Sequence, residues 1–375
     1  MQQEQYDHAV IIGRFQPFHY NHKALLEQAL DIAKNVIVII GSAHSAPNVK
    51  NPFSFEQRRK MLSDCFPEYL PLPEGQPGHH STQWMGKLKI VGIRDYFYSD
   101  SLWVSNIQSL TDQFIQDGES VALLGNYKDS SSYYLRMFPQ WEFVPLSGQK
   151  IKNLDATSVR KHFFDISFHK GYDETAMISP GDAQTQDRFL EQRVPAPVLE
   201  FLKEFRKTKE FVRLSEEYKA IEAYKASWKD APYVPVFVTA DVVVTCAGHV
   251  LVIKRGFNPG KGLYALPGGF VRGTETVREA AIRELKEETR IRVEKIILDS
   301  SIVDSRMFDH PERSLRGRTI THAFHVKLKD GRLPEISYGD DAAGAKWIPL
   351  MDVARLENKF FEDHSHIIQY FISKI

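Results

Sequence analysis

The chain has 375 residues, 42% of them hydrophobic, which is enough apolar material for the cores of two or three domains. Lysine plus arginine equals aspartate plus glutamate at 48 each, so the net charge gives no reason to expect a nucleic acid or an anionic membrane as partner. Cys65 and Cys246 are too few for a disulfide framework or a zinc cluster. No apolar run approaches the roughly 18 residues of a membrane helix and no targeting segment is evident, so we expect a cytoplasmic protein.

The first predicted elements are a strand, a turn and a helix between residues 10 and 33. An apolar run ends at Gly13, and leucines and alanines then recur at helical spacing. His19 and His22 fall in the turn and the first helical turn, where exposed backbone N–H groups and the helix dipole favour phosphate. Two imidazoles add hydrogen-bond donors there, so the segment predicts a phosphate site.

Two further strand-like runs, 35–44 and 121–129, lead into small or charged residues. In an open parallel sheet, ligands bind at the carboxyl edge of the strands, where such residues let a nucleotide approach the backbone. We therefore expect a nucleotide site at this edge, with an ordinary surface position as the alternative for the lysine. The candidate residues are Gly41, Ser42, Gly125, Lys128 and Asp129.

The middle of the chain separates two different patterns. Residues 171–187 are poor in periodic apolar positions, and residues 195–228 carry apolar side chains at helical spacing among many charges. A β-rich pattern begins at Val234, with a hairpin turn at Ala247 and Gly248. We predict one domain over residues 1–185, a partly helical linker over 186–232 and a second domain over 233–375.

The segment Gly268–Ile291 contains glutamates at spacings typical of one helix face. If its second half is helical, Glu284, Glu287 and Glu288 are related by three and four residues and crowd together. Hard divalent cations such as Mg²⁺ or Mn²⁺ relieve that repulsion and prefer oxygen ligands. The backbone at Gly268 can approach the same cation, so these four residues form a predicted metal site. A solvated, charge-rich helix is the alternative.

The spacing of this segment resembles the Nudix hydrolase box, G-x5-E-x7-R-E-U-x-E-E-x-G-U, in which U is aliphatic. The match runs from Gly269 through Glu275 and Arg283 to Ile291. One position departs from it, because Arg290 stands where the family has glycine and where the helix would end in a left-handed cap. The resemblance implies an α+β Nudix domain with a mixed sheet and a metal-binding helix, and a structural ion pair between Glu275 and Arg283.

The first half resembles the nucleotidyltransferase superfamily, whose H-x-x-H signature matches His19 and His22. It is most similar to the archaeal-type nicotinamide mononucleotide (NMN) adenylyltransferases, which open much like GRFQPFH. The resemblance implies a Rossmann-like α/β domain with a parallel sheet. It also implies that the opening loop contacts the substrates, with Arg14 stabilising charge on the phosphates and Gly13 and Phe15 lining the site.

Two further segments carry the same resemblance. Residues 154–160, LDATSVR, are similar to the family motif I-S-x-T-x-x-R, with Thr157 and Arg160 in place and Asp155 where serine is usual. The resemblance implies that Arg160 grips the phosphates of ATP through its planar donor fork. Residues 90–108 are similar to the region that holds NMN, which implies hydrogen bonding by Asp95 and stacking on the pyridinium ring by Trp103. Core packing is the alternative for Trp103.

Substrate selection by the Nudix-like half must come from residues outside its box. Arg313, Arg316 and Arg318 precede an apparent strand and are candidates for binding the phosphates or the terminal ribose, with solvated surface arginines as the alternative. Asp340 or Asp341, in a later acidic loop, is a candidate for bringing a carboxylate toward the metal.

An adenylyltransferase-like half followed by a Nudix-like half is the layout of bifunctional NMN adenylyltransferase/Nudix hydrolase proteins. This resemblance implies adenylyl transfer from ATP to NMN, giving NAD and pyrophosphate, and metal-dependent hydrolysis of ADP-ribose to AMP and ribose 5-phosphate. The implied metal is Mg²⁺, with Mn²⁺ as the alternative. The expected partners are the nucleotides ATP, NMN, NAD and ADP-ribose, not nucleic acid or a membrane, and the sequence is compatible with a homo-oligomer.

Two other functions stay open at this point. The Nudix-like half could be a nucleotide sensor without catalysis, since Arg290 departs from the pattern, although the complete set of carboxylates argues against this. The first half could adenylylate another phosphomonoester, such as flavin mononucleotide or phosphopantetheine, and only the resemblance of GRFQPFH favours NMN.

Overall fold

The computed structural model describes residues 5–70, 87–126, 130–147, 151–165, 180–329, 331–339 and 342–374. The chain forms two compact units, Met1–Ser215 and Glu216–Ile375. The second unit therefore begins within a helix of the predicted linker, and the predicted domain limits stay a prediction.

The first unit alternates strands and helices, as its sequence pattern predicts. In chain order its elements are β1 (Tyr6–Gly13), α1 (Tyr20–Ile32), β2 (Ala33–Ile40), α2 (Phe55–Cys65), β3 (Leu88–Gly92), α3 (Asp100–Thr111), β4 (Val121–Gly125), β5 (Glu142–Pro145), α4 (Ala156–Phe164), α5 (Pro180–Glu191), α6 (Ala196–Phe205) and the start of α7 (Lys209–Ala226). Short 3-10 helices cover Pro67–Tyr69 and Ser130–Arg136.

Within its described residues, the first unit forms a five-stranded sheet in the order β3-β2-β1-β4-β5, and every pairing is parallel. The predicted parallel α/β fold is confirmed. Because strand order reverses between β1 and β4, the crevice outside their carboxyl ends is where such a sheet binds ligands. Gly13 and Gly125 end these two strands, and Gly41 follows β2 at the same edge.

The helices α5 and α6 pack on the first unit. The ring of Phe53 contacts the rings of Phe201 and Phe205, with centroids 5.6 and 5.0 Å apart. The backbone N–H of Tyr20, at the start of α1, donates to the carbonyl of Arg193 (3.0 Å). The apolar stripe of α6 is buried in these contacts, which explains why this part of the predicted linker belongs to a folded unit.

The second unit begins with the rest of α7 and continues as a β-rich unit. Its further elements are β6 (Val236–Cys246), β7 (His249–Arg255), β8 (Tyr264–Ala265), β9 (Gly268–Phe270), α8 (Val277–Thr289), α9 (Lys295–Ser300), β10 (Ile302–Phe308), β11 (Arg318–Lys327), β12 (Ala342–Pro349) and α10 (His364–Ile372). Short 3-10 helices cover Leu350–Asp352 and Glu357–Lys359.

The described part of the second unit forms a mixed sheet of seven strands. Its main order is β10-β11-β6-β7-β12, while β8 pairs with β7 and β9 with β6. The pairing of β6 with β11 is parallel and the others are antiparallel, so the predicted mixed sheet is confirmed. The predicted hairpin turn is also present, because Ala247 and Gly248 both have positive φ angles, 46° and 73°.

The helix α8 covers one face of this sheet. A reciprocal capping box between Thr276 and Glu279 starts it. Ala280 and Ala281 are fully buried and small enough to let the helix approach β6 closely, beside Leu285. Glu284 and Glu288 lie three and seven residues after Ala281, at the edge of this buried face, and Glu288 is buried as well. No helix among the described residues is long and apolar enough to cross a membrane.

Candidate active sites

The turn after β1 brings two histidines together at the start of α1. His19 is the N-cap residue, 1% exposed, and its Nδ1 accepts a long hydrogen bond from the backbone N–H of His22 (3.4 Å). The two rings stack with centroids 3.5 Å apart and an angle of 13° between their planes. The ring of Phe15 meets His22 edge-on at 4.9 Å. The predicted pair therefore lies at one helix N-terminus, where backbone N–H groups favour anions.

The backbone of this turn is strained at Phe15. Its φ of 52° lies in the left-handed region, which a bulky residue rarely adopts. A Cβ at Gly13 would lie 2.9 Å from the Phe15 ring, so glycine lets the ring fold back onto the strand end. Strain of this kind is held by its surroundings and clusters at functional sites.

Arg160 reaches the same turn from α4. Its Nη1 donates to the carbonyl of Gln16 (2.6 Å) and its Nη2 to the hydroxyl of Thr157 (3.1 Å). Burial, together with the nearby positive charge of Arg14, lowers the pKa of Arg160 to about 10. Asp155, at the usual serine position, caps α4 by accepting from the Ser158 N–H (2.8 Å). Two arginines, Arg14 and Arg160, thus lie at the turn that leads into the stacked histidines, an arrangement suited to phosphates.

The other residues that were predicted to bind a nucleotide differ from one another in their surroundings. The carboxylate of Asp95 accepts hydrogen bonds from the Ser42 N–H (3.2 Å) and the Ser45 hydroxyl (3.1 Å), so it organises the loop after β2. Its predicted bond to a substrate stays a prediction. Gly125 packs against Leu135, where a Cβ would lie 2.7 Å from a methyl group. Lys128 and Asp129 lie outside the described residues.

Trp103 packs against the core of the first unit. Its ring lies 5.8 Å from Tyr134 and 6.0 Å from Phe138, and it is partly buried. This geometry favours the core-packing alternative over stacking on a substrate ring.

In the second unit, Gly268 and Gly269, the first two residues of β9, meet the C-terminal half of α8. The N–H of Gly268 donates to Glu288 Oε2 (2.9 Å). A Cβ at Gly269 would lie 2.5 Å from Glu284 Oε1, and one at Gly268 would lie 2.3 Å from Asp241 Oδ1. Both glycines therefore allow carboxylates to approach the backbone. Sequence reasoning missed Asp241, because nothing in a β-strand pattern distinguishes it.

Arg283 joins the remaining carboxylates of this face. It forms a two-pronged pair with Glu275, at 2.5 and 2.8 Å, as the resemblance implied. Its Nη1 also donates to Glu284 (2.7 Å) and to Glu287 (2.9 Å). The hydrogen bonds from Arg283 hold the pKa of Glu275 at about 2. Arg283 thus fixes the orientation of Glu284 and Glu287.

The electrostatics of Glu288 fit a bound divalent cation. Burial, with the like charges of Glu284 and Asp241, raises the pKa of the Glu288 carboxyl to about 8. Burial also raises the pKa of Glu284. Crowded, poorly solvated carboxylates are the donor set that hard cations favour. Among the described residues, no group of three or more carboxylate, histidine or cysteine side chains is arranged to hold a metal ion.

Arg290 ends α8 in the left-handed conformation, with φ 42° and ψ 34°. It therefore adopts the conformation that glycine has in the family pattern. Its side chain lies against Gly339, where a Cβ would be 2.7 Å from Arg290 Nε. The departure at this position leaves the end of the helix, and the glutamates before it, in place.

The three candidate arginines have different surroundings. Arg313 is buried and forms a two-pronged ion pair with buried Asp363, at 2.9 and 3.0 Å, so it is structural. Arg318, the first residue of β11, donates to the carbonyl of Asp309. Arg316 lies over the rings of Phe270 and Phe361, 5.3 and 5.9 Å from their centroids. Asp340 and Asp341 lie outside the described residues.

A further arginine, Arg255 at the end of β7, accompanies Arg316. Its guanidinium lies 4.0 Å from the centre of the Phe361 ring, and its Nε donates to the Pro259 carbonyl (2.8 Å). Burial and the charge of Arg316 lower its pKa, while Glu288 raises it. Arg255 and Arg316 are like charges close enough to repel each other, an arrangement that favours an anionic ligand. No sequence signal distinguishes this residue, since a lysine-arginine pair at a strand end is common on surfaces.

Comparisons with known proteins find relatives of both units. Residues 10–137 match the family described as cytidylyltransferase-like, and residues 236–371 match the NUDIX domain family. A nicotinamide/nicotinic acid mononucleotide adenylyltransferase of Acinetobacter baylyi is 31% identical over 215 residues, which are 57% of this chain and 95% of that protein. An ADP-ribose pyrophosphatase of Methanocaldococcus jannaschii is 36% identical over 137 residues, or 36% of this chain and 73% of that protein.

Two solved structures cover both units. A bifunctional NMN adenylyltransferase/ADP-ribose pyrophosphatase from Francisella tularensis is 35% identical, with a TM-score of 0.82 over 98% of this chain and 99% of that one. A crystal structure described as that enzyme with AMP and a manganese ion has a TM-score of 0.81 at 34% identity over the same shares.

A doubly wound parallel sheet with an H-x-x-H turn, followed by a mixed sheet with a glutamate-bearing helix, defines a two-unit enzyme that acts on nucleotides. The chain belongs to the family of bifunctional NMN adenylyltransferase/ADP-ribose pyrophosphatases.

Proposed function

We propose that the first unit transfers the adenylyl group of ATP to NMN, and that the second unit hydrolyses ADP-ribose to AMP and ribose 5-phosphate. The observation that carries this proposal is the similarity to the Francisella tularensis bifunctional enzyme over 98% of the chain. The partners are then small nucleotides. A cytoplasmic location and a homo-oligomer stay predictions.

In the first unit, a phosphate oxygen of NMN attacks the α-phosphorus of ATP in line. The bond from that phosphorus to the bridging oxygen breaks, and pyrophosphate leaves. His19, His22, Arg14 and Arg160 supply donors and positive charge for the phosphates, while Thr157 orients Arg160. Positioning the two anions supplies on the order of 7–11 kcal/mol of the barrier.

In the second unit, water attacks a phosphorus of ADP-ribose and the bridging bond to the other phosphate breaks. Glu284, Glu287 and Glu288, with the backbone of Gly268, are the residues that would hold a divalent cation, which we propose to be Mg²⁺, with Mn²⁺ as the alternative. When bound, this cation supplies Lewis-acid activation of the attacking water. Arg283 orients Glu284 and Glu287, and the Gly268 N–H orients Glu288.

Arg255 and Arg316 are proposed to bind the diphosphate of ADP-ribose. We expect Arg255→Gln to lower kcat/KM for ADP-ribose on the order of tenfold to a hundredfold, mainly through KM, because a charge-assisted phosphate contact is lost. The exposed neighbour Lys254 gives the matched control, Lys254→Gln, which should change kcat/KM less than threefold. Equal effects of the two substitutions would remove Arg255 from the binding site.

The first experiment measures AMP release from ADP-ribose and NAD formation from ATP and NMN, each with Mg²⁺ and after chelation. Metal-dependent AMP release and NAD formation are the expected results. Saturable ADP-ribose binding without AMP release would make the second unit a sensor. NAD formation that is no faster than adenylylation of flavin mononucleotide or phosphopantetheine would exclude the NMN assignment.

Single substitutions in each unit then test the two sites separately. His19→Ala should abolish NAD formation and leave ADP-ribose hydrolysis intact, while Glu288→Gln should do the reverse. The activity of the other unit is the control for the amount of intact protein, and the circular dichroism spectrum is the control for folding. Full NAD formation by His19→Ala would show that this histidine has no role in the transfer.

A further inference from the structure

Arg58, on α2 of the first unit, is a buried cation held by main-chain carbonyls. It is 1% exposed, and every hydrogen bond that it makes with the described residues goes to a backbone carbonyl. Burial lowers its pKa to about 10, so the guanidinium is still charged at neutral pH. A buried charge of this kind is unfavourable unless hydrogen bonds compensate for it. Its position therefore needs an explanation beyond packing.

The bonds of Arg58 join the two loops that follow β1 and β2. Its Nη1 donates to the carbonyls of Arg14 (2.8 Å) and Gly41 (2.6 Å), and its Nη2 to that of Ser42 (3.0 Å). Its Nε donates to the carbonyl of Ser54, the N-cap residue of its own helix (3.2 Å). One planar side chain thus cross-links both loops at the carboxyl edge of the sheet.

Ser42 is held from both sides. Its carbonyl accepts from Arg58, and its N–H donates to Asp95 (3.2 Å). The residue is buried and has a φ of 51°, a left-handed conformation that a side chain with a Cβ adopts at a cost. Local strain persists only where surrounding contacts determine it, and here an arginine and an aspartate provide those contacts.

We propose that Arg58 is a positioning residue for adenylyl transfer: with Asp95 it fixes the loops after β1 and β2 in the geometry that receives the nucleotide phosphates. A carbonyl oxygen that accepts from a buried guanidinium points into the protein, so its negative end is kept away from an incoming phosphate. The planar fork reaches carbonyls of two loops at once, which the single ammonium of a lysine does not do. This role rests on the proposed function of the first unit.

The test compares Arg58→Lys with Arg59→Lys in the full chain. Arg59 is the adjacent, exposed arginine, paired with Glu56 on the same helix, so it controls for the loss of an arginine from α2. We expect Arg58→Lys to lower kcat/KM for NAD formation on the order of a hundredfold, since small misplacements of reacting groups have effects of this size. ADP-ribose hydrolysis by the same preparation, and both activities of Arg59→Lys, should stay within twofold of the parent.

Chemical rescue separates positioning from folding. In Arg58→Ala, guanidinium ion at millimolar concentration should restore NAD formation at least tenfold, whereas urea, which has a similar planar shape without the charge, should not. A variant with the circular dichroism spectrum of the parent that guanidinium fails to rescue would overturn the proposal. Loss of both activities together in Arg58→Lys would also overturn it, because it would assign Arg58 to folding.

The two proposals fail differently. If the parent protein makes no NAD, the proposed function of the first unit is wrong and Arg58 is not at issue. If the parent makes NAD and folded Arg58→Lys has a kcat/KM for NAD formation within threefold of the parent value, the proposed function is supported and the positioning role of Arg58 is wrong.

Discussion

At the scale of single residues, Arg290 shows how a departure from a sequence pattern can leave a structure unchanged. The family pattern has glycine there because the residue ends the helix with positive φ. Arg290 adopts that conformation, with φ 42°. The cost for a residue with a Cβ is about 1–2 kcal/mol, which is modest compared with the stability of a folded unit. The substitution therefore gives no structural reason to expect an inactive second unit.

Replacing Arg290 tests this interpretation. Arg290→Gly should leave ADP-ribose hydrolysis within threefold and the free energy of unfolding within about 1 kcal/mol, since relief of strain and added chain entropy oppose each other. Arg290→Val should lower the free energy of unfolding by about 2 kcal/mol, because a branched side chain fits positive φ poorly. Urea unfolding and AMP release measure both effects. A large gain in hydrolysis by Arg290→Gly would mean that Arg290 itself impairs the site.

At the scale of elements, the strand β9 controls the position of the α8 carboxylates. Gly269→Ala should lower ADP-ribose hydrolysis on the order of a hundredfold, because the added Cβ would lie 2.5 Å from Glu284 Oε1 and displace it. Gly273→Ala is the matched control, since a Cβ there meets nothing within 4 Å. AMP release is the measurement, with NAD formation as the folding control. Equal activities of the two variants would show that the close approach of Gly269 does not position Glu284.

The β6–β11 pairing carries a buried histidine that predicts a pH dependence of stability. His325 Nε2 lies 2.8 Å from the Thr245 hydroxyl, and burial lowers the pKa of His325 below its ordinary value of 6.5. The unfolded chain then binds a proton at a higher pH than the folded one, so stability is complete above about pH 6.5 and falls as pH decreases toward the folded pKa.

His325→Gln keeps a hydrogen-bonding group and removes the titration. The difference in free energy of unfolding between pH 7.5 and pH 5.5, measured with urea, should be smaller in this variant than in the parent. An unchanged difference would assign the pH dependence to other groups, such as buried His364, whose pKa is also lowered by burial.

At the scale of the whole molecule, the second unit needs part of α7. Glu217 is buried and accepts from the Gly260 N–H (3.1 Å), and Ile221 is buried as well. The rings of Tyr224 and Trp228 contact Phe237 at 5.6 and 5.4 Å. A fragment over 233–375, the predicted domain, lacks all of these contacts.

We therefore expect a fragment over 209–375 to be more stable than one over 233–375 by about 3 kcal/mol, from one buried hydrogen bond to a charged group and the burial of apolar side chains. Urea unfolding of both fragments is the measurement. Equal stabilities would support the predicted boundary at residue 233 and show that α7 contributes little to the second unit.

Much of the fold and of both candidate sites could be predicted because the signals are local. Strand alternation, helical spacing and the H-x-x-H and glutamate patterns lie within segments of about 25 residues, so they indicate the parallel sheet, the mixed sheet and α8 without tertiary contacts. His19 and His22, and likewise Glu284 and Glu288, are close in space because one turn or one helix joins them.

The tertiary structure alone decided which distant residues complete these sites. Arg58 lies 44 residues from Arg14 along the chain and touches its carbonyl, and Arg255 meets Arg316 only across the folded sheet. It also decided that Trp103 packs in the core and that α5 and α6 belong to a folded unit. Local periodicity carries no information about which surfaces meet, because that depends on burying apolar faces and pairing buried charges across the whole unit.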